Sequence, residues 1–362
     1  MKALVIGGTG ATGPAVVEGL LERGFDVTIL HGGQHEVELP ASVRHIHADP
    51  HFAETLEEGL AAETYDLVVA QYGRLRIVAD VLRGRTDRLI AIGGATGIFA
   101  GEDDPAWGGL GRPALFPDTS EVYERDLERN KLGARMVEAM EALFAAHPAA
   151  TYVGYPLNYG PRTPGPYDWS VIRRVLDGRR SFAIADGGLK LDARVFTENA
   201  AAAVLLVVDS PDVAAGKRYL VSDGHQFTMR QRIEFIAAQL DRELELADMP
   251  YEVAWPCHPL WRHVRGHRLC ESTLIRSELG FEDPVPADVA LARSVDWLVA
   301  NPPDEELERQ IADPFDYAAE DELVRRWHEA REALGEVEAP LPEQGHQYRH
   351  PKKPGEAWTA KR

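Results

Sequence analysis

The sequence predicts an α/β fold: a Rossmann-type doubly wound parallel sheet, a smaller C-terminal lobe, and a helical or irregular C-terminal extension. Three observations predict it. The chain opens on a charge-free apolar run, Ala3 to Ile6, long enough for one buried strand. Gly7, Gly8, Gly10 and Gly13 follow at once, and then an amphipathic stretch carrying Val16, Val17, Leu20 and Leu21. Further short apolar runs alternate with helical patterns after that. This is the signature of βαβ units, whose strands run parallel and whose crossovers are right-handed.

Strand, glycine-rich turn and helix in that order form a dinucleotide-binding fingerprint. The glycines let the backbone turn tightly and approach a pyrophosphate. The N–H groups at the helix start, around Ala11 and Thr12, then face its negative charge. Pro14 suits the first helical turn, where its missing N–H costs nothing. Gly24 closes the helix.

Asp26 to Leu30 reads as the second strand. In dinucleotide folds an acid at the end of this strand binds the adenosine ribose of NAD, or a nearby Arg accepts the extra phosphate of NADP. Here the strand ends in His31-Gly32-Gly33-Gln34, with no acid, and Arg44 stands farther on. The reading is therefore NAD or NADP, inclining to NADP, with His31 at the ribose position. Val43 to Ala48 is the third strand, followed by Asp49. His45, His47 and His51 raise a metal site, but no Cys or Glu joins them at ligand spacing, so the sequence predicts none.

Asp66 to Ala70 and Arg88 to Ile92 are the fourth and fifth strands. Gly101 to Pro117 reads as a long loop, Ser120 to His147 as a long helix, and Ala150 to Tyr155 as the sixth strand. Ligands of such sheets lie outside the carboxyl ends of the strands, which gathers the segments after Ile6, Leu30, Ala48, Ala70 and Ile92 around one crevice. Trp169 to Leu176 is a helix ended by Gly178, Asp192 to Phe196 a strand, and Thr197 to Val208 an alanine-rich buried helix. Tyr219 to Val221 and Tyr251 to Ala254 read as strands; Thr228 to Leu240, Ile275 to Leu279 and Val289 to Val299 read as helices. After Asn301-Pro302-Pro303 comes an acidic helical stretch, Asp304 to Leu334, and then a poorly patterned tail. The expected organisation is a dinucleotide-binding domain over 1–165, with 190–222 folding back onto it. A substrate-binding lobe takes 166–189 and 223–300, and the extension 301–362.

Composition excludes several classes. No run of about eighteen apolar residues is present to span a membrane. A net charge of −19 argues against nucleic acid and anionic membranes as partners. Two cysteines, Cys257 and Cys270, make no disulfide framework, and with no leader visible the expectation is a cytoplasmic protein.

The motifs together resemble the extended or atypical short-chain dehydrogenase/reductase superfamily, of the NAD-dependent epimerase/dehydratase type, over roughly residues 1 to 300. The resemblance rests on Gly7-Gly8-Thr9-Gly10-Ala11-Thr12-Gly13, Asp49, Asn130-Lys131 and Pro156-Leu-Asn-Tyr-Gly-Pro-Arg162. Val195 to Val204 and Arg276 to Phe281 fit it too. It implies that Gly7, Gly10 and Gly13 hold the pyrophosphate, Asp49 meets the adenine and Ala70 lies against the cofactor. Lys131 would bind the nicotinamide ribose, and Pro156 and Asn158 would flank the nicotinamide. It also implies a homodimer through the long helices and a small-molecule substrate.

Two of the family's groups are missing. Its proton-transferring Tyr stands four residues before the Lys, where this chain has Leu127. Its Ser or Thr after the fifth strand aligns with Ala95, with Thr96 one place away. The candidates to stand in, beside Lys131, are Thr96, Tyr72 and Tyr123; Tyr123 lies about 12 Å along the helix from the Lys. Tyr155, Tyr159, His31 and Asp118 also fall near the strand ends. The expected activity is hydride transfer or redox-assisted epimerisation or elimination on a small hydroxyl- or carbonyl-bearing substrate. The alternative is a non-catalytic cofactor-binding regulatory or structural protein. In the second lobe, Cys257, His258, His263, His267 and Cys270 raise a zinc site at non-standard spacing. Alternatively Trp255, Trp261, His263 and Arg265 line a substrate pocket.

Overall fold

The computed structural model describes residues 1–33, 36–95, 115–116, 131–335 and 353–355. Residues 1–315 form one compact unit and 316–362 a second. The first unit is built on a seven-stranded parallel sheet. In chain order its early elements are β1 (Lys2–Ile6), α1 (Gly13–Glu22), β2 (Asp26–His31), β3 (Arg44–His47), α2 (Ala53–Leu60), β4 (Leu67–Ala70), α3 (Leu75–Val81) and β5 (Leu89–Gly94). A two-residue strand β6 (Leu115–Phe116), α4 (Lys131–Ala146), β7 (Thr151–Tyr155), β8 (Leu157–Tyr159), α5 (Trp169–Leu176), β9 (Ser181–Ala185), β10 (Arg194–Phe196), α6 (Thr197–Asp209) and α7 (Pro211–Ala214) follow. The unit closes with β11 (Arg218–Leu220), α8 (Met229–Gln239), β12 (Glu245–Met249), α9 (His258–Trp261), β13 (Leu269–Cys270), α10 (Thr273–Leu279), α11 (Ala287–Ala300) and α12 (Glu305–Ile311).

The sheet order is β11-β7-β5-β4-β1-β2-β3, reversing direction at β1 as a doubly wound sheet does. The alternation of side chains along β1 fixes both cores. Ala3 and Val5 pack with Val16, Val17 and Leu20 of α1 and Ala200, Val204 and Val207 of α6. Leu4 and Ile6 face the other way, toward Leu56 and Leu60 of α2, Val78 of α3, and Met140 and Leu143 of α4. With both faces covered, β1 has no reason to carry a polar residue beyond its exposed start at Lys2. Gly24 sits after α1 at φ +77°, and Gly178 after α5 at φ +79°, both in the left-handed position expected of them.

One element differs from the sequence reading. The predicted strand Tyr251 to Ala254 is a turn, in which Val253 and Ala254 N–H groups both donate to the Pro250 carbonyl. The strand lies just before it, as β12, paired in parallel with β9 and ended by Pro250. The short strand near Tyr219 is β11, which extends the edge of the main sheet beside β7. The acidic extension is two helices, broken where Ala312 turns to φ +59°. Asp304 caps α12 by accepting a 2.8 Å hydrogen bond from Leu307 N–H. The second helix, α13 (Tyr317–Gly335), belongs to the second unit and carries exposed Glu322–Arg325 and Arg325–Glu329 pairs. Of the predicted long helix, residues 120–130 lie outside the described residues, and Lys131–Ala146 is helical.

The smaller lobe is organised by a buried ionic network. Asp168, at the start of α5, accepts two 2.6 Å hydrogen bonds from Arg232 of α8 and one of 3.3 Å from Arg194 of β10. All three side chains are at most 4% exposed. Burial pushes the Asp168 carboxyl up, but the two guanidinium groups outweigh it and hold it below the ordinary carboxylate range. Arg232 also lies over the Tyr159 ring at 4.7 Å, and Tyr159 donates a 2.7 Å hydrogen bond to Asp223. Asp168→Ala leaves two buried guanidinium groups without their carboxylate, and we expect a loss of about 3–5 kcal/mol of unfolding free energy. Urea unfolding of the purified variant checks this; a loss below about 1 kcal/mol contradicts the network's role.

Candidate functional site

The turn between β1 and α1 is built from glycines with different jobs. Gly7 has φ +88°, a conformation that L side chains rarely adopt, and a Cβ placed on it would lie 2.5 Å from the Cβ of Tyr72. A Cβ on Gly8 would meet Ile29 at 2.7 Å, and one on Gly13 would meet the Gly8 carbonyl oxygen at 2.2 Å. These three glycines are required by the protein's own packing. Gly10 is not. It is exposed, and the nearest atom a Cβ there would meet is the Gly7 oxygen, at an ordinary 3.7 Å.

The turn is fastened from both sides. Gly7 N–H donates to the Leu30 carbonyl of β2 at 2.8 Å, and Gln71 N–H, after β4, donates to the Ile6 carbonyl at 2.8 Å. Thr12 precedes α1 but makes no side-chain cap. Its hydroxyl donates instead to Gln71 Oε1 at 2.5 Å. At the start of α1, Gly13 N–H donates to the Gly10 carbonyl at 3.1 Å and Pro14 has no N–H, which leaves the Thr12 and Ala15 N–H groups without a capping side chain. Two buried polar atoms near the same strand ends also lack partners: Gln71 Nε2 and Asn158 Oδ1, the latter on β8. An open glycine, an uncapped helix start and orphaned buried amide atoms are what a dinucleotide's pyrophosphate and nicotinamide ends would need here.

Around this turn stand the ends of the neighbouring strands. Ala70 ends β4, is 3% exposed, and pairs in register with Ile6 and Ala91. After β3, Asp49 Oδ1 accepts hydrogen bonds from His51 N–H at 2.9 Å and His51 Nδ1 at 2.7 Å. The backbone bond and then the ring bond hold the Asp49 carboxyl below its ordinary range. The His51 ring meets the Tyr72 ring edge-on, with centroids 4.9 Å apart. Tyr72, 58% exposed, therefore leans to the β3 side of the crevice. Pro156 and Asn158 follow β7, and Lys131, the first described residue of α4, is exposed. Thr96 and Tyr123, like Leu127, Trp107 and Asp118, lie outside the described residues.

Several sequence expectations need correction. Arg44 opens β3, at the end of the sheet away from the crevice. It holds Glu63 with two hydrogen bonds of 2.8 and 2.5 Å, so it is not placed to receive a phosphate. Ala95 is fully buried among Ala193, Leu220 and Cys270, so the position aligned with the family's Ser faces a core. Tyr155 donates to the Ala200 carbonyl at 3.0 Å and Tyr159 to Asp223; burial pushes both phenols well above their ordinary range. Both hydroxyls are thus engaged within the core.

His31 does not stand alone at the end of β2. Its side chain is 4% exposed, and its Nε2 lies 3.2 Å from His45 Nδ1. Burial pushes its imidazole below the ordinary range. The prediction of no metal rested on the lack of a partner acid at ligand spacing, and Glu36 supplies one. Donor atoms of His31, Glu36, His45 and His47 all lie within 4.8 Å of one another. The cysteines and histidines of the smaller lobe form no such group among the described residues. Cys257 is buried, its thiol pushed up to about 12 by burial. His258 stacks on Tyr251, and His267 Nδ1 accepts from Leu191 N–H at 2.9 Å. Trp261 and Arg265 do line a depression of about 310 Å³, with Lys190 and His267. Trp255 and His263 are not in its lining. Lys190 Nζ donates to the Trp261 and Val264 carbonyls at 2.7 and 2.8 Å, and burial pushes its ammonium down to about 7.

No protein-family model and no curated protein sequence matches the chain. Solved structures do. A dTDP-glucose 4,6-dehydratase from Bacillus anthracis, solved in complex with NAD, superposes with a TM-score of 0.63 at 14% identity, covering 83% of this chain and 97% of that one. A UDP-glucose 4-epimerase from Thermotoga maritima, solved with UDP-glucose, gives 0.64 at 18% identity, covering 83% and 99%. The Bordetella bronchiseptica enzyme WbmG in complex with NAD gives 0.61 at 15% identity, covering 83% and 94%. The chain has the fold of these epimerases and dehydratases, a Rossmann-type doubly wound sheet.

Proposed function

We propose that the crevice over the β1–α1 turn binds a nicotinamide dinucleotide, and that the protein is an atypical member of the extended short-chain dehydrogenase/reductase superfamily. The observation that carries this is Gly10. Packing demands glycine at 7, 8 and 13, but at 10 only an approaching ligand does. The fold shared with NAD-containing structures supports the same reading. NAD is now preferred to NADP, because Arg44 is engaged with Glu63 at the far end of its strand.

In this reading Gly7, Gly10, Ala11, Thr12 and Gly13 hold the pyrophosphate against the start of α1. Asp49 and Ala70 border the adenosine half, and Tyr72, leaning on His51, flanks it. His31, at the ribose position, presents a buried edge. Lys131, Pro156 and Asn158 border the nicotinamide half, where the unpartnered Asn158 Oδ1 awaits a donor. A bound nicotinamide supplies reversible hydride acceptance. The chain's part is to orient a small hydroxyl- or carbonyl-bearing substrate and to move one proton at its oxygen. With Tyr155 and Tyr159 engaged in the core, Thr96 and Tyr123 are the remaining candidates for that proton, with the Lys131 ammonium favouring the ionised form of a nearby hydroxyl. A homodimer through α4, on which Leu132 stands 57% exposed, belongs to the same proposal.

The burial of Ala95 favours a second reading, a cofactor-binding protein without turnover. Turnover of a hydroxyl or carbonyl substrate that Lys131→Ala abolishes removes that reading; saturable NAD binding with no turnover across such substrates supports it.

The glycine turn yields a paired test. Gly10→Val is expected to leave the melting temperature within a few degrees and to weaken NAD binding by on the order of 100-fold, about 2.7 kcal/mol, by calorimetry. Gly13→Val is expected instead to unfold or strongly destabilise the protein, since its Cβ collides with backbone. If the native protein shows no affinity for NAD or NADP in either redox state, or Gly10→Val binds normally, the proposal fails.

A further inference from the structure

The edge of the sheet farthest from the smaller lobe gathers three imidazoles and one carboxylate. Strands β2 and β3 run parallel, with His31 opposite His47 and Ile29 opposite His45. Residues two apart on one strand share a face, so His31, His45 and His47 lie on the same side of this edge. Ile29 on that face belongs to the core under α1, whereas Leu30 and Ile46 point to the other core. The three histidines therefore continue a core-facing row outward to the sheet's carboxyl end. The ring centroids of His31 lie 5.3 Å from His45 and 4.8 Å from His47.

The chain then folds back over them. Gly33 has φ +72°, and a Cβ there would approach His47 Cδ2 at 3.4 Å. Beyond this turn, Glu36 lies with its carboxylate 3.4 Å from His47 Nε2, 3.9 Å from His31 Nδ1 and 4.0 Å from His45 Nδ1. Side-chain exposure rises across the group from 4% at His31 and 29% at His45 to 61% at His47 and 58% at Glu36. The cluster thus has a fixed inner wall and an open outer side through which an ion enters.

We propose that His31, Glu36, His45 and His47 form a binding site for a first-row divalent transition metal of the zinc type. The donor set selects this class. Imidazole suits zinc, copper, nickel and iron, whereas magnesium and calcium take oxygen ligands. Three neutral imidazoles and one carboxylate neutralise half of a divalent charge. A tetrahedral ion with bonds of about 2.0–2.1 Å sets its donors about 3.3 Å apart. His31 Nε2 to His45 Nδ1, at 3.2 Å, and His47 Nε2 to Glu36, at 3.4 Å, already meet this; His45 Nδ1 to Glu36 is 4.0 Å, and no pair of donors exceeds 4.8 Å, a gap that the exposed Glu36 and His47 side chains can close by moving inward. Ligation through His31 Nε2, the nitrogen facing His45, moves that ring's proton to Nδ1 and gives up the 3.3 Å contact from Gly33 N–H. With four protein donors the site is closed, which makes it structural: the ion clamps the chain after β2 onto edge strand β3. The site shares His31 with the edge assigned above to the adenosine ribose, but it is argued from the cluster alone and does not depend on the dinucleotide reading.

The test uses untagged full-length protein, stripped with chelator, in the absence of any nucleotide. Titration with Zn²⁺ in competition with a chromophoric chelator is expected to give one ion per chain with sub-micromolar affinity. Co²⁺ in its place is expected to give the intense visible bands of tetrahedral coordination, and Mg²⁺ no binding. Glu36→Gln and His47→Ala alter exposed side chains, so both variants fold, which circular dichroism checks. Each is expected to weaken Zn²⁺ at least ~10-fold. Absence of stoichiometric Zn²⁺ binding, or binding unchanged in both variants, overturns the proposal.

Discussion

The backbone between β1 and α1 must pass through a space with no room for side chains, and much of the rest of the fold follows from that passage. A Cβ at Gly13 would stand 2.2 Å from the Gly8 carbonyl, and one at Gly7 would stand 2.5 Å from Tyr72. Only this close approach lets α1 start directly above the end of β1. It then lays Val16, Val17 and Leu20 against Ala3 and Val5, and α6 packs into the same core. The start of α1 is left uncapped because Thr12 turns to Gln71. The same geometry that closes the core therefore leaves the Thr12 and Ala15 N–H groups without a capping side chain. Gly10, alone of the four, is not needed for packing, and the proposed ligand-binding role of the turn rests on that difference.

The crevice is asymmetric. On the β3 side the groups are paired with one another: Asp49 with His51, His51 with Tyr72, and His31 with His45. Toward β7, Asn158 Oδ1 is without a partner and Lys131 is exposed. A cofactor lying across the crevice would meet a preformed wall at one end and unsatisfied groups at the other. Below that second end, the Asp168, Arg194 and Arg232 network fixes α5, α8 and β10.

Much of this was legible in the sequence, because periodicity and glycine spacing report directly on strands and turns. The buried runs at Ala3, Val27 and Val68, the left-handed Gly24, and helix α5 with its stop at Gly178 were all readable. What was not readable depends on where a turn returns the chain. Nothing in the spacing of His31, His45 and His47 announces Glu36, because Gly33 brings it back over a neighbouring strand. Arg44 resembled a phosphate ligand by proximity in sequence, yet it opens β3 while the crevice lies at that strand's close. Pro250 could have marked β12's end, but the aromatic Tyr251 drew the strand one segment too late. The burial of Ala95 depends on Ala193 and Leu220, both far along the chain, and no local pattern reveals it.

The claim on which the account rests is that the Gly10 opening receives a pyrophosphate. The most direct measurement is a crystal structure of the protein grown with saturating NAD. The account predicts the pyrophosphate over Gly10, within hydrogen-bonding distance of N–H groups at the start of α1, with the nicotinamide toward Asn158 and Lys131. A dinucleotide bound elsewhere on the molecule, or none bound at all, contradicts it.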